Sequence, residues 1–212
     1  MTNRRRRPLV ALVGALALLA ALPMTPASAA TEDVSIHDFQ FDPASLVASM
    51  GVKVRWTHSD YAPHTATSAK QLPNGKPGIH VFGSGRLEPG DVFQRALPWA
   101  ATFDYYCSFH QEMKGIVATR PTVRDASTEE TAQYRVTWAV ADPKAGTLFD
   151  VQVKAPGGTF THFYRGDFRS KLFQPDQAGI WSFHARLVQV DGSRVTASTR
   201  YSPTASVDVS LS

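Results

Sequence analysis

Short apolar runs that alternate with polar residues recur from Val34 to Thr119, and no stretch after Ala30 carries the apolar period of an amphipathic helix. The runs are Val34 to Phe39, Leu46 to Ala48, Val52 to Trp56, Val92 to Ala96, Ala101 to Tyr106 and Gly115 to Thr119. Between them lie turn formers: Pro73-Asn74-Gly75, Lys76-Pro77-Gly78, Gly83-Ser84-Gly85 and Pro89-Gly90. A chain that can hide only one face of each short strand must stack two sheets, so the pattern predicts an all-β sandwich.

A second set of strands follows the polar segment Arg124 to Glu130. Tyr134, Val136 and Trp138 alternate, as do Phe149, Val151 and Val153, and then Trp181, Phe183 and Ala185. Turns recur at Asp142-Pro143, Pro156-Gly157-Gly158, Gln177-Ala178-Gly179 and Asp191-Gly192. This spacing predicts a second small sandwich. The expected organisation is a leader over 1–29, one sandwich over 30–121 and another over 122–212.

The leader reads as a cleaved signal peptide. Arg4 to Arg7 supply the positive region, Leu9 to Leu22 the apolar stretch and Ala27-Ser28-Ala29 the small-residue cleavage site. The apolar stretch falls short of the roughly 20 residues of a spanning helix, and no later segment supplies one. A secreted or extracytoplasmic protein without a membrane span is expected. Cleavage would remove four arginines and no acid, leaving the 22 Lys plus Arg reduced to parity with 18 Asp plus Glu. A chain so balanced offers no phosphate-binding stripe, so nucleic acid is excluded as the expected partner.

Cys107 is the one cysteine of the chain, which rules out an internal disulfide in the oxidising compartment the leader implies. It stands in Tyr106-Cys107-Ser108-Phe109-His110-Gln111-Glu112-Met113-Lys114-Gly115, and a further histidine stands in Ala62-Pro63-His64-Thr65. Each residue alone has a plainer reading: a small buried hydrophobe, a loop histidine, a core filler. Together His64, Cys107, His110 and Met113 are two nitrogens, a thiolate and a thioether, the trigonal set with a weak axial ligand that suits a single type 1 copper ion. Structural zinc prefers four firm donors and is poorly served by a thioether. If Ala101 to Tyr106 is a strand, Phe103, Tyr105 and Cys107 share its inner face, and the thiolate ends a core-facing column.

Over residues 32–120 the chain resembles the cupredoxins, in particular their plastocyanin- and amicyanin-like members. The likeness rests on Phe39-Gln40-Phe41-Asp42-Pro43, Gly51-Val52-Lys53-Val54-Arg55-Trp56, Pro63-His64-Thr65 and the run from Tyr105 to Gly115, with two-residue gaps on both sides of His110. The resemblance implies a Greek-key β-sandwich with one copper ion that cycles between Cu(I) and Cu(II) as a one-electron carrier. It also implies a redox partner that docks on an apolar patch around His110, for which Ala62, Pro63, Phe109 and Met113 are candidates. His58 stands where the likeness leads one to expect an asparagine that ties the ligand loops, so it is a candidate tether or a solvent-facing residue. His37, His80, His162 and His184 are assigned surface or packing roles. The chain has no His-x-His pair, no Gly-x-Ser-x-Gly and no His-Glu-x-x-His, so an electron carrier is expected rather than an enzyme.

The second half resembles a fibronectin type III module over residues 122–212. The likeness rests on Tyr134-Arg135-Val136-Thr137-Trp138, Phe149-Asp150-Val151-Gln152-Val153, the run from Gly179 to Leu187, and Tyr201-Ser202-Pro203 before a last strand. It makes Trp138 the core tryptophan, and it puts Trp181 where such modules have the tyrosine of their corner, leaving that hydrogen bond open. Phe160, Phe163, Tyr164 and Phe168 read as strand positions or as an aromatic surface. Arg165-Gly166-Asp167 matches an adhesion tripeptide, a pattern that three common residues also produce by chance. A module of this kind suits contact with a cell surface, another protein or the first domain. The rival to an electron carrier is therefore a non-redox extracellular copper-binding or adhesion protein.

Overall fold

The computed structural model describes residues 31–210. The expected signal peptide and its cleavage site lie outside the described residues. Among those described the chain is all-β with no helix, as the alternation required.

Eight strands make the first sandwich: β1 Thr31–His37, β2 Gln40–Asp42, β3 Ser45–Ala48, β4 Lys53–His58, β5 Thr67–Ser68, β6 Val92–Ala96, β7 Ala101–Tyr106 and β8 Lys114–Thr119. One sheet has the order β2-β1-β4-β6 and the other β3-β8-β7-β5. The β1/β4 and β3/β8 pairs are parallel and the rest antiparallel. Parallel neighbours cannot be joined by a hairpin, so the chain must cross between sheets. Side chains two apart share a face, and on β4 the inward set is Val54, Trp56 and His58, while on β7 it is Phe103 and Tyr105, continued by Cys107. Val34, Ile36 and Val117 complete the core between the sheets. Both inward columns end at the same rim, because β4 and β7 deliver His58 and Cys107 into the loops that follow them.

A second sandwich comprises β9 Thr122–Asp125, β10 Tyr134–Thr137, β11 Leu148–Lys154, β12 Phe160–Gly166, β13 Ser170–Phe173, β14 Gly179–Asp191, β15 Arg194–Ser198 and β16 Ala205–Val209. A three-stranded sheet β13-β10-β9 faces the sheet β12-β11-β14-β15, to which β16 adds by pairing with β14. β15 borders the C-terminal half of β14 and β16 its N-terminal half, so the two behave as one edge strand interrupted around Pro203. The layout is immunoglobulin-like. Trp138 is fully buried just beyond β10, and its Nε1–H donates to Phe168 O at 2.6 Å. Trp181 closes a bond four residues back, Nε1–H to Gln177 O at 3.1 Å, at the position where the sequence left a hydrogen bond open. The segment read as a polar connector begins inside β9, an edge strand whose side chains are mostly exposed and so hide the apolar alternation.

The two sandwiches meet at the end of the first one that is remote from Cys107. Ala100 N–H donates to Trp138 O at 2.8 Å, Val140 N–H to Pro98 O at 2.9 Å and Trp99 Nε1–H to Asp142 O at 2.7 Å. Thr102 exchanges backbone bonds with Arg200, whose guanidinium grips both oxygens of Asp104 at 2.8 Å. The Arg165 guanidinium of the adhesion-like tripeptide is bound to the buried Asp150 at 2.9 Å, together with Arg186 and the Tyr201 hydroxyl. The aromatic run is partly spent on packing: Tyr164 stacks on Trp138, while Phe160 and Tyr201 sandwich the ring of His184 at 3.7 and 4.0 Å.

Candidate metal centre

β7 ends at Tyr106 and β8 begins at Lys114, their last ladder pair, so the residues from Cys107 to Met113 form one short loop across the sandwich rim. Two backbone bonds fold it: Cys107 N–H to Met113 O at 3.1 Å and Met113 N–H to His110 O at 3.0 Å. Cys107 is fully buried and Met113 almost so. A second loop, between β4 and β5, brings His64 to the same place, pinned by reciprocal backbone bonds with Leu87 at 3.1 and 2.8 Å.

The loops converge on three donor atoms. The two Nδ1 atoms of His64 and His110 are 3.1 Å apart, and Cys107 Sγ lies 3.6 Å from the first and 3.5 Å from the second. A triangle with those sides contains a point about 2.0 Å from all three corners, close to the ~2.0–2.3 Å at which imidazole and thiolate bind a first-row metal ion. The donors are thus disposed around a common centre in a trigonal arrangement, with Met113 in the same loop. His64, Cys107 and His110 form the one such cluster of His, Cys and acidic residues found among the described residues. A soft thiolate with two imidazoles in a plane fits copper, and a structural zinc site, which needs a fourth firm donor, fits worse.

Asp60 fixes the orientation of His64, and sequence reasoning missed it. The buried carboxylate accepts the His64 Nε2–H at 3.1 Å, and it also accepts Phe39 N–H at 2.8 Å and Tyr61 N–H at 2.7 Å. Burial pushes the Asp60 pKa up, but the two backbone N–H groups and His64 outweigh it and hold the carboxyl below its ordinary value. Burial likewise lowers the His64 pKa, against the pull of Asp60, so the ring is neutral with its Nδ1 lone pair free. The signal was present as an acid four residues before the ligand histidine.

His58 does not tie the ligand loops, and it is not solvent-facing. It is buried at the end of the β4 column, donating Nε2–H to Ala62 O at 2.9 Å and accepting Asp60 N–H on Nδ1 at 3.2 Å, which braces the turn that presents Asp60. The tether is Thr65. Its N–H points at Cys107 Sγ at 3.4 Å, and its Oγ1 accepts Ser108 N–H at 2.8 Å. A spacing argument located a residue near the site but not the one whose backbone lies alongside the sulfur.

The rim around His110 is aromatic. Tyr61 is 81% exposed and Phe109 50% exposed, with Arg86 over the Phe109 ring. Met113, a sequence candidate for this surface, is buried instead; Ala62 and Pro63 are half-buried. Phe39 caps the tight β1–β2 turn. Asp38 and Phe39 have φ of 49° and 58°, a left-handed conformation that costs a bulky residue of order 1–3 kcal/mol.

Residues 28–120 match the family model of copper binding proteins of the plastocyanin/azurin family. Among solved structures, a novel purple cupredoxin from Nitrosopumilus maritimus is 30% identical over 42% of this chain and 98% of its own, with a TM-score of 0.38. A reduced-state phenylalanine-for-proline mutant of amicyanin is 20% identical over 44% of this chain and 86% of its own, with a TM-score of 0.37. The Cu(I) form of an alanine-for-methionine amicyanin mutant is 24% identical over 44% of this chain and 84% of its own, also at 0.37. No curated protein sequence matches the chain significantly.

Proposed function

Residues 28–120 being a cupredoxin domain of the plastocyanin/azurin family of copper-binding proteins, we propose that this protein is a secreted type 1 copper protein that carries one electron at a time. His64, Cys107 and His110 would hold the ion, and Met113, in the same loop, would add a weaker thioether donor. Copper held there supplies one-electron chemistry by alternating between Cu(II) and Cu(I). The observation that carries the reading is the triangle of two Nδ1 atoms and one Sγ with a common centre.

The residues of the chain perform the rest. Asp60 and the neutral tautomer it imposes keep the His64 lone pair aimed at the centre, and Thr65 N–H stabilises charge on the sulfur. Both ligand loops spring from a stiff double sheet, so the donors need move little when the charge on the ion changes. His110 is half-buried beside the exposed rings of Tyr61 and Phe109, a surface suited to a weak redox encounter that buries under about 1,200 Å². The sequence offers no His-x-His pair for further copper centres, which supports a carrier rather than an enzyme. We assign 1–29 to a signal peptide, 30–121 to the copper domain and 122–212 to a fibronectin type III-like module that contacts a cell surface or another protein.

The test is the visible and electron paramagnetic resonance spectrum of the mature protein with Cu(II), beside Cys107→Ser. The expected outcome is strong thiolate-to-copper absorption that the substitution abolishes. Copper binding without colour, equal in both proteins, refutes the carrier and leaves the non-redox binding reading.

A further inference from the structure

We infer that Phe39 is a positioning residue for the metal centre: its ring wedges the imidazoles of His64 and His110 edge-to-face, and Asp60 locks its turn and His64 together. The two histidines are held differently. His64 is fixed through Nε2 by Asp60, whereas among the described residues His110 has polar contacts on Nδ1, with His64 and Cys107, and none that anchors Nε2, so packing carries more of the rotation of that ring. Phe39 supplies the packing, with ring centroids 4.8 Å apart at 88°. The same ring meets His64 at 5.4 Å and 76°, and Tyr61 at 5.5 Å and 75°. Perpendicular aromatic contacts at these separations are the favoured ones.

The backbone carries the second line of argument. Two consecutive residues at positive φ make a turn that Asn-Gly builds without strain. This chain puts Asp38 and Phe39 there, and the strained N–H of Phe39 donates to the very oxygen, Asp60 Oδ2, that receives His64. One carboxylate therefore couples the placement of the ring to the placement of the ligand. Bulky residues persist in such conformations where the surroundings over-determine them, and such sites cluster at function.

The role at copper rests on the proposed function, but ring orientation is readable without metal. The experiment compares wild type, Phe39→Gly, Phe39→Leu and Phe39→Tyr. In the metal-free proteins, imidazole NMR signals of His110 and their contacts report the ring conformer. With Cu(II) bound, the paramagnetic resonance spectrum reports the ligand field. Glycine relieves the backbone strain, so Phe39→Gly is expected to melt no lower than Phe39→Leu. Both are expected to lose the single His110 conformer and to broaden or shift the copper spectrum, and Phe39→Tyr to restore both. His110 signals in Phe39→Gly and Phe39→Leu that superimpose on wild type overturn the inference. A wild type that never develops thiolate absorption sinks the copper reading instead, and the metal-free comparison still decides the role of Phe39.

Discussion

Asp60→Asn keeps the shape of the side chain and removes its charge, so it isolates what the carboxylate does. Oδ2 accepts from Phe39 N–H and His64 Nε2–H, and Oδ1 accepts from Tyr61 N–H. An amide has one acceptor atom. Turned to serve Phe39 and His64, it presents its NH₂ to the Tyr61 N–H, and turned the other way it fails two donors. At least one part-buried backbone donor loses its partner, and the surviving bonds lose their charge-assisted share; the unmade bond alone costs about 1–2 kcal/mol. Taking about 2 kcal/mol for the whole, and about 2–4 °C per kcal/mol for a protein of this size, the melting midpoint drops by roughly 4–8 °C. Loosened orientation of a ligand imidazole additionally lowers metal affinity by ~10–100-fold. Calorimetry of the metal-free protein reads the first effect and a competition titration with a chelator of known Cu(II) affinity the second. An Asp60→Asn protein that melts within 1 °C of wild type, or binds copper within threefold of it, refutes the assignment of Asp60 as the anchor of His64.

Other substitutions probe the scaffold. A Cβ added at Gly115 falls inside the ring of Tyr105, against Cζ and the hydroxyl, and that ring is buried between Phe41 and Trp56; Gly115→Ala is expected to cost about 1–3 kcal/mol or more in a denaturant titration. His184 is held neutral, its pKa pushed down to about 4 by burial and by Arg186. The unfolded chain takes up that proton below the ordinary value of ~6.5 while the fold resists it, so stability falls as pH drops from there to about 4. Asp150 acts in the same direction: burial raises its pKa, yet Tyr201, Arg165 and Arg186 bring it below normal, so its contribution disappears as pH falls through that lowered value. A melting series is expected to be flatter between pH 6.5 and 4.5 in His184→Phe than in wild type, by about 1 kcal/mol once half exposure of the ring is allowed for. Arg200→Met removes the bidentate grip on Asp104 and is expected to cost about 1 kcal/mol, seen as faster amide exchange along β7, with the copper spectrum unchanged.

The parts of the site that follow from a period of two were legible beforehand. Phe103, Tyr105 and Cys107 had to share a face once β7 was a strand, and β6 and β7 have the expected limits. The loop donors were legible from type and spacing because few chemistries combine one thiolate, two imidazoles and a thioether. What stayed hidden depends on contacts between segments far apart in the chain. Thr65 tethers the sulfur through its backbone N–H, which any residue but proline possesses, so no side chain betrays it. Phe39 stood in a quoted motif, but Asp-Phe is not a sequence that announces a left-handed turn. β9 and β13 are short strands, exposed at three and at two of their four positions, and their pairing with β10 is a property of the sheet rather than of their own composition.

The backbone bridge between the sandwiches at Thr102 lies five residues along β7 from Cys107, or about 17 Å at ~3.3 Å per residue. The molecule therefore has a grip and a port at opposite ends of one strand. Whatever takes hold of the C-terminal sandwich leaves the aromatic rim at Tyr61 and Phe109 open to the medium. Under the proposed function, partners would reach the metal centre by turns through that single opening while the other end stays held.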